Sequence, residues 1–354
     1  MTRQTWTAVV SAFCFVACAL VATLTPVPFV VWAPGPVVDL LSDDEGSSLV
    51  NVTNVTTYPA SGRLLLTTLA QTPPDGQVSL LEALHAYWAP DREVVPAAAV
   101  YPAGSTAEEI RDERIAQFEM AQRDATAAAL RTAGLRVDPV PVVLSVNATG
   151  PAAGRLRVGD IVVAIRNGDA MPVTVQTAQD AAQAVASGRV GDEVVFSLQR
   201  DGVRQDVAVV TVGSKSRPDL PVAGVSFTQG YVYAPQVSFA LAPDTAGSSA
   251  GLMLALAVYD RVTAVQLLDD RVVSGTGTID ANGTVGRVRG VRERVAGARQ
   301  AGASVFIVPR ANCVDLAGEQ PGLRLVAVGT LAETVSALEA LADPAREKSV
   351  KGCP

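Results

Sequence analysis

Lysine and histidine are nearly missing from this chain. Of 28 basic residues in 354, only Lys215, Lys348 and Lys351 are lysines, and His85 is the single histidine. Chemistry that needs a titratable amine or imidazole therefore has very few candidates. Cysteine is also scarce: four residues, no CxxC pair and no histidine cluster, which excludes a disulfide scaffold and the usual metal-ligand patterns. No cofactor is expected. Cys14 and Cys18 fall in an apolar run, and the spacing of Cys313 and Cys353 does not by itself decide whether they pair. There is no basic tail and the net charge is -7, which argues against a nucleic-acid partner. After the first apolar run none is long enough to cross a bilayer, because VSFALAP is short and GLMLALAVYDRV ends in charge.

Charge is absent from the N-terminus as well, with nothing ionised between Arg3 and Asp39. A bilayer needs about 20 apolar residues, and Val9 to Val31 supplies them, with Trp6 and Trp32 at interface depth. Arg3 precedes the run and Asp39, Asp43, Asp44 and Glu45 follow it. Positive charge stays inside, so the N-terminus is placed in the cytoplasm and the bulk of the chain outside the cell membrane. The alternative is a cleaved signal peptide. The run outlasts the usual signal core, and Pro26 and Pro28 fall near its outer end, which favours the anchor.

At 49% hydrophobic residues the remainder can fill two or three folding units. Residues 33 to 59 read as an exposed approach with a short strand near Val50 to Thr57, and Gly62 to Leu69 as a strand covered on both faces. Residues 81 to 88 form a short amphipathic helix bearing His85. Thr106 and Glu109 have capping-box spacing and open a long helix ended by Gly134, with Ile115, Phe118, Ala121 and Ala125 on one face. Its charged face, Glu108 to Arg114, reads as solvated. From Val137 the pattern changes to short strands around one helix, Thr177 to Ser187, with hairpin signals at Asn167-Gly168 and Asp201-Gly202. Ser214 to Pro221 reads as a linker. Beyond it, strands such as GVSFTQGYVYA and ASVFIVP alternate with helices, the last opened by Thr330 and Glu333.

PAAGRLRVGDIVVAIRNG, with Pro151, Ala152, Gly154, Leu156, Gly159, Asp160 and Ile161, resembles the core signature of PDZ domains. The resemblance implies a peptide-binding groove between a strand, Val142 to Val146, and a helix, Ala178 to Val185. Backbone pairing there would hold peptide or unfolded-protein segments, C-terminal ends among them. The glycine-rich carboxylate loop of such domains is not evident in RVDPVPVV.

Gly247-Ser248-Ser249-Ala250-Gly251 precedes an apolar helical run. Read from the residues alone, Ser249 is either a nucleophile at a helix entry or a cap on a buried helix. The free N–H groups of the entry, with Gly247, Ser248, Ala250 and Gly251 as turn support, suit an oxyanion. The stretch resembles the GPSAG motif of Lon-type serine peptidases, with Ser248 in place of proline. TGTI at Thr276 to Ile279 and Ala301-Gly302-Ala303, Phe306, Val308-Pro309 and Asn312 extend the match. With the apolar N-terminus and the PDZ-like unit, the chain resembles bacterial membrane-anchored PDZ–Lon-type proteins. No GxxxxGK[ST] motif occurs, so no ATP is expected.

The resemblance places the family's general-base lysine at Arg294, in Arg289-Gly290-Val291-Arg292-Glu293-Arg294. A desolvated lysine can take a serine proton, whereas arginine does not deprotonate in proteins. Arg294 either touches Ser249 or lies on a solvated helix face with Arg292 and Glu293. No lysine lies between 216 and 347, and Asp244 and His85 are weak substitutes. Ala246, Arg289 and Asp269-Asp270 also replace glycines of the family pattern.

The expected fold class is α+β: a transmembrane helix, a PDZ-like domain and a Lon-type α/β domain. The boundaries read as 1–35 for tip and anchor, 36–135 for a strand–helix region, 136–215 for the PDZ-like domain, 216–345 for the proteolytic domain and 346–354 for a tail. The strand–helix region either stands alone or joins the peptidase sheet, which would make the PDZ-like unit an insertion. Two functions remain: an ATP-independent extracytoplasmic serine endopeptidase, and a non-catalytic peptide-binding or scaffolding protein. Partners are peptides, the lipid bilayer through one span and, by resemblance, further copies of the chain.

Overall fold

The computed structural model describes residues 3–44, 47–242, 246–317 and 322–353. Two compact units are formed, one from residues up to Leu135 with those from Pro235 onward, the other from Arg136 to Ala234.

The first unit begins with helix α1 (Arg3–Leu24), whose stretch Gln4–Thr23 is long and apolar enough to cross a membrane. The helix does not run to Val31. Pro26 and Pro28 lack the N–H that would continue it, and Phe29–Asp39 forms strand β1 instead. Val30, Val31 and Trp32 are buried there, so Trp32 belongs to the protein interior rather than to a membrane interface. Strand β2 (Arg63–Gln71) pairs antiparallel with β1. Its Leu64, Leu65 and Leu66 are all buried, as a strand covered on both faces requires. Helix α2 (Leu80–Trp88) is capped by Ser79, and β3 (Glu93–Pro96) pairs with the other edge of β1. Helix α3 (Ala107–Thr132) opens on a complete Thr106–Glu109 capping box and buries Ile110, Phe118, Ala121, Ala125 and Leu130.

The second unit is built on β4 (Asp138–Val146), β5 (Ile161–Asn167), helix α4 (Ala178–Ala186), β6 (Glu193–Arg200), β7 (Val203–Val210) and β8 (Val225–Val232). The strand order is β7-β6-β5-β4-β8. Leu156, Val162, Ile165, Val185, Phe196 and Leu198 fill its core. The β6–β7 turn places Asp201 and Gly202 at φ 50° and 80°, left-handed values that the Asp-Gly pair accommodates. Gly159 at φ 92° makes the turn before β5. Asp160 holds that turn: its carboxylate accepts the Arg157 N–H at 2.8 Å and both Nε and Nη2 of Arg200 at 2.7 and 2.6 Å. Burial alone would raise its pKa, but these donors outweigh it and hold the group below the usual carboxylate range.

Two expectations change here. Residues 214–221 are not a linker between domains: Ser214 N donates to Leu220 O, and Val212–Gly213 pairs with Pro221–Val222. The GVSFTQGYV strand, expected in the proteolytic domain, pairs along its length with β4 as β8. Local pattern specified a strand but not its partner.

The chain re-enters the first unit at Pro235, where Gln236–Phe239 pairs with Val50–Thr53, and continues into a 3-10 turn, Ser248–Ala250, and helix α5 (Gly251–Val262). Strand β9 (Val272–Gly275), helix α6 (Val291–Gln300), β10 (Val305–Pro309), β11 (Arg324–Val328) and helix α7 (Leu331–Leu341) follow. Thr330 caps α7, while the Glu333 carboxylate returns to Gly329 N–H and Arg310 rather than to the cap residue. One sheet joins both halves in the order β11-β10-β9-β2-β1-β3, its first four strands parallel. Helix α6 packs on one face over Leu65, Phe306 and Val308. Alternate residues such as Leu64 and Leu66 point to the other face, where α5 is buried from Gly251 to Asp260. Cys313 and Cys353 form a disulfide that fastens the C-terminal segment.

Two consequences are measurable. Gly275 lies where β9 meets α5, and a Cβ there would fall 2.8 Å from both Ile307 O and Met253 Sδ. Gly275→Ala is expected to cost about 1–3 kcal/mol, read by urea denaturation. Asp260 is buried with Oδ2 unpartnered, and burial pushes its carboxyl up to about 6 from the ordinary 3.8. The folded state therefore holds the proton more tightly, and stability falls as pH rises between those values. Asp260→Asn should match wild type below pH ~4 and exceed it above pH ~6 by at most about 3 kcal/mol. Thermal melting across that range checks this.

Candidate functional site: a serine beside a buried arginine

Ser249 sits half-buried in the 3-10 turn that leads into α5. Its backbone carbonyl accepts two hydrogen bonds, from Gly277 N at 3.0 Å and Thr276 Oγ1 at 3.1 Å. Gly277 O in turn accepts from Leu252 N at 3.0 Å. The Thr276–Ile279 segment is thereby laced to the helix entry. Gly251 permits this approach, since a Cβ there would lie 3.1 Å from Ile279 N. The residues expected to support the turn divide into two groups. Gly247 and Ser248 line the cleft with Ser249, whereas Ala250 and Gly251 are packed beneath it.

Arg294 comes from the first turns of α6. Gly290 precedes that helix with φ 64°, and a side chain there would strike Leu69. Arg294 is 7% exposed and points at the serine, its Nη2 donating to Ser249 Oγ at 2.9 Å. Nη1 donates to Thr67 O on β2, and Nε makes a marginal 3.5 Å contact with Arg289 O. The alternative of a solvated helix face is excluded, because Glu293 is buried as well as Arg294. Desolvation lowers the Arg294 pKa to about 10, opposed by the charge of Glu293. At neutral pH the group is still a cation. Desolvation also raises the Glu293 carboxyl, whose Oε2 has no partner.

The cleft has a volume of about 460 Å³ and includes Tyr101, Glu113, Arg114, Arg287 and Arg289. Glu113 and Arg114 belong to the α3 face read from sequence as ordinary solvated surface; their helical spacing gave no sign of a cleft. Tyr101 is held by donating to Thr72 O and accepting from Gln71 Nε2 at 3.1 Å. Nothing in the local sequence marked Tyr101 or the Thr67 carbonyl. His85 is exposed on α2 and is not among the cleft residues. Asp269 and Asp270 adopt φ 49° and 57° in a turn and do not line the cleft either. Asp244 lies outside the described residues. Among the described residues no group of three metal-ligating side chains is present.

In the second unit the expected groove strand, Val142–Val146, is flanked on both sides, by β5 and by β8. β8 pairs with it from Val142 to Val146, whereas β5 meets it only at Val142, next to the backbone bonds between Val143 and the Gly159–Asp160 turn. The sheet ends at β8, which packs against α4, and Gln229 Nε2 of β8 donates to Gln176 O just before that helix. Gly224, at φ 72°, precedes β8 in Pro221-Val222-Ala223-Gly224. Gly154 is likewise left-handed at φ 72°, and Leu156 and Asp160 are buried, so the signature residues serve the fold.

Residues 116–211 match the PDZ domain family model, and residues 167–335 match that of the Lon protease (S16) C-terminal proteolytic domain. The Lon protease of Clostridium beijerinckii is 30% identical over 133 residues, 37% of this chain and 16% of that protein. Lon protease 2 of Bacillus subtilis is 30% identical over 102 residues, 29% of this chain and 18% of that protein. The archaeal Lon protease of Methanocaldococcus jannaschii is 33% identical over 89 residues, 25% and 13% of the two chains. The chain thus spans under a fifth of the length of these curated relatives. Among solved structures, the PDZ domain of an SdrC-like protein from Listeria innocua is 26% identical, covering 25% of this chain and 93% of that one, at a TM-score of 0.22. The corresponding domain from Listeria monocytogenes is 23% identical, covering 25% and 85%, at 0.21. An N-terminal apolar helix, a PDZ domain and a Lon-type S16 C-terminal proteolytic domain are therefore combined in this one mixed α+β chain.

Proposed function

We propose that this protein is a membrane-tethered, extracytoplasmic pseudopeptidase, a Lon-type domain that binds peptides without cleaving them, working beside a peptide-binding PDZ domain. The observation that carries this reading is the direction of the hydrogen bond at the site. Arg294 Nη2 donates to Ser249 Oγ. A general base must do the opposite and accept the serine proton. With a pKa of about 10, Arg294 holds its own proton throughout the physiological range. Among the described residues no lysine or histidine lines the cleft. Tethering is supported by the apolar helix α1, which fits a signal sequence as well as an anchor by length and composition alone. The Cys313–Cys353 disulfide favours an oxidising compartment outside the cytoplasm.

The peptidase alternative is tested by fluorophosphonate labelling of the full chain in detergent, with wild type, Ser249→Ala and Arg294→Lys compared from pH 6 to ~9. Wild type and Ser249→Ala should stay unlabelled. Arg294→Lys should gain labelling as pH rises, because desolvation lowers a lysine toward neutrality and frees it to act as base. Wild-type labelling that disappears in Ser249→Ala would reinstate the enzyme.

PDZ domains bind peptides generally, and in this one the supporting geometry is the β8 edge beside α4. Added C-terminal peptides should slow hydrogen exchange within Val225–Val232 and α4. Protection confined to Val142–Val146 would return the groove to the strand expected from sequence.

A further inference from the structure

The cleft beside Ser249 carries a buried positive charge. Arg294 is 7% exposed, and no carboxylate among the described residues forms an ion pair with it. Glu293, its sequence neighbour, acts on it electrostatically without forming an ion pair, and burial raises the Glu293 pKa. An unpaired charge out of water is costly, and an anion brought beside it removes much of that cost. The surroundings share the same sign. Among the described residues, Arg114, Arg287 and Arg289 line the cleft against a single acid, Glu113, with Arg287 paired to Asp315.

The donor inventory fits an oxyanion. A guanidinium has five N–H groups. Three are directed at Thr67 O, Ser249 Oγ and, at the limit of bonding distance, Arg289 O, so two have no acceptor among the described residues. The Ser249 hydroxyl accepts from Arg294 and keeps its own hydrogen to donate. A planar carboxylate matches such a fork of donors, and charge-assisted bonds of this kind are roughly twice as strong as neutral ones.

We propose that the Ser249 cleft is a carboxylate-binding site that takes the C-terminal end of a peptide, with Arg294 as its anion anchor. A chain end is favoured over an acidic side chain by the position of the serine. In the peptidase reading the carbon that Ser249 would attack lies beside Oγ. A terminal carboxylate puts its own carbon at that point, with the peptide running away along one side of the cleft, as a cleavage product would. The inference rests on the peptide-binding reading above and specifies its ligand.

Hydrogen exchange on the full chain in lipid nanodiscs tests it, because the cleft and the PDZ edge report separately. The probes are acetyl-Ala-Ala-Ala with a free carboxylate, its C-terminal amide, acetyl-Ala-Asp-Ala amide and inorganic phosphate. The free carboxylate should slow exchange in residues 246–254 and 289–295 at about tenfold lower concentration than the amide. Arg294→Gln should remove that difference while leaving the response of residues 225–232 intact. Arg114→Ala, at an exposed position lining the cleft, should weaken the carboxylate response at low salt. Equal responses to carboxylate and amide in wild type would overturn the proposal while leaving peptide binding in place. An equal or stronger effect of the aspartyl amide or of phosphate would overturn the assignment to a chain end. No response to any peptide in either segment would bring down the peptide-binding reading itself. The wild-type comparison stands even where Arg294→Gln proves unstable.

Discussion

A guanidinium buried against a serine hydroxyl is the constraint around which the first unit is arranged. Taking the Arg294 cation out of water is expensive unless donors find acceptors. Its acceptors come from distant parts of the chain: Thr67 on β2, Ser249 at the entry to α5, and more weakly Arg289 before α6. Each lies on an element whose packing is fixed independently. Leucines 64–66 are locked in the sheet, and Ala250 and Gly251 lie beneath the turn. Lysine in the same place would relieve its desolvation by losing a proton. Arginine has no such route at neutral pH, so the charge persists and sets the chemistry of the cleft.

That arrangement depends on an interrupted connectivity. β2 pairs with β9 and β1 with β2, so residues preceding the second unit complete a sheet whose other strands follow it. The Thr67 carbonyl could not reach the guanidinium if residues 63–71 folded elsewhere. The second unit leaves and returns through its own antiparallel pair, β4 and β8, and it is this closure that moves the free edge of its sheet from β4 to β8.

Features governed by neighbours in sequence were legible before the structure. The capping box at Thr106, the Asp201-Gly202 hairpin and the buried leucine run of β2 depend on contacts only a few residues away. Ser249 and Arg294 were singled out through family resemblance and the near-absence of lysine, and their contact was one of two alternatives. What was not legible is tertiary. An apolar run cannot reveal that it changes from helix to buried strand after Leu24, since Val30 and Val31 suit a bilayer and a core equally. A strand pattern at 225–232 does not name its partner. The arginines and Tyr101 around the cleft are distant in sequence from the serine, and a charged helix face looks the same whether it meets water or a binding cleft.

Retention of the serine motif is not an argument for catalysis. The Ser249 carbonyl is bound by Gly277 and Thr276, Gly251 is dictated by the closeness of Ile279, and Ala250 is fully buried. These demands come from packing α5 against the Thr276–Ile279 segment, and they would keep the backbone in place whatever the hydroxyl did. Only Oγ is separable from the fold. Its recorded partner is a permanent donor, which leaves the oxygen an acceptor and its hydrogen available to another acceptor. In the proposed reading, the same backbone that would hold a nucleophile for attack holds a hydroxyl and a cation ready for an anion, and one side chain, guanidinium in place of amine, separates the two roles.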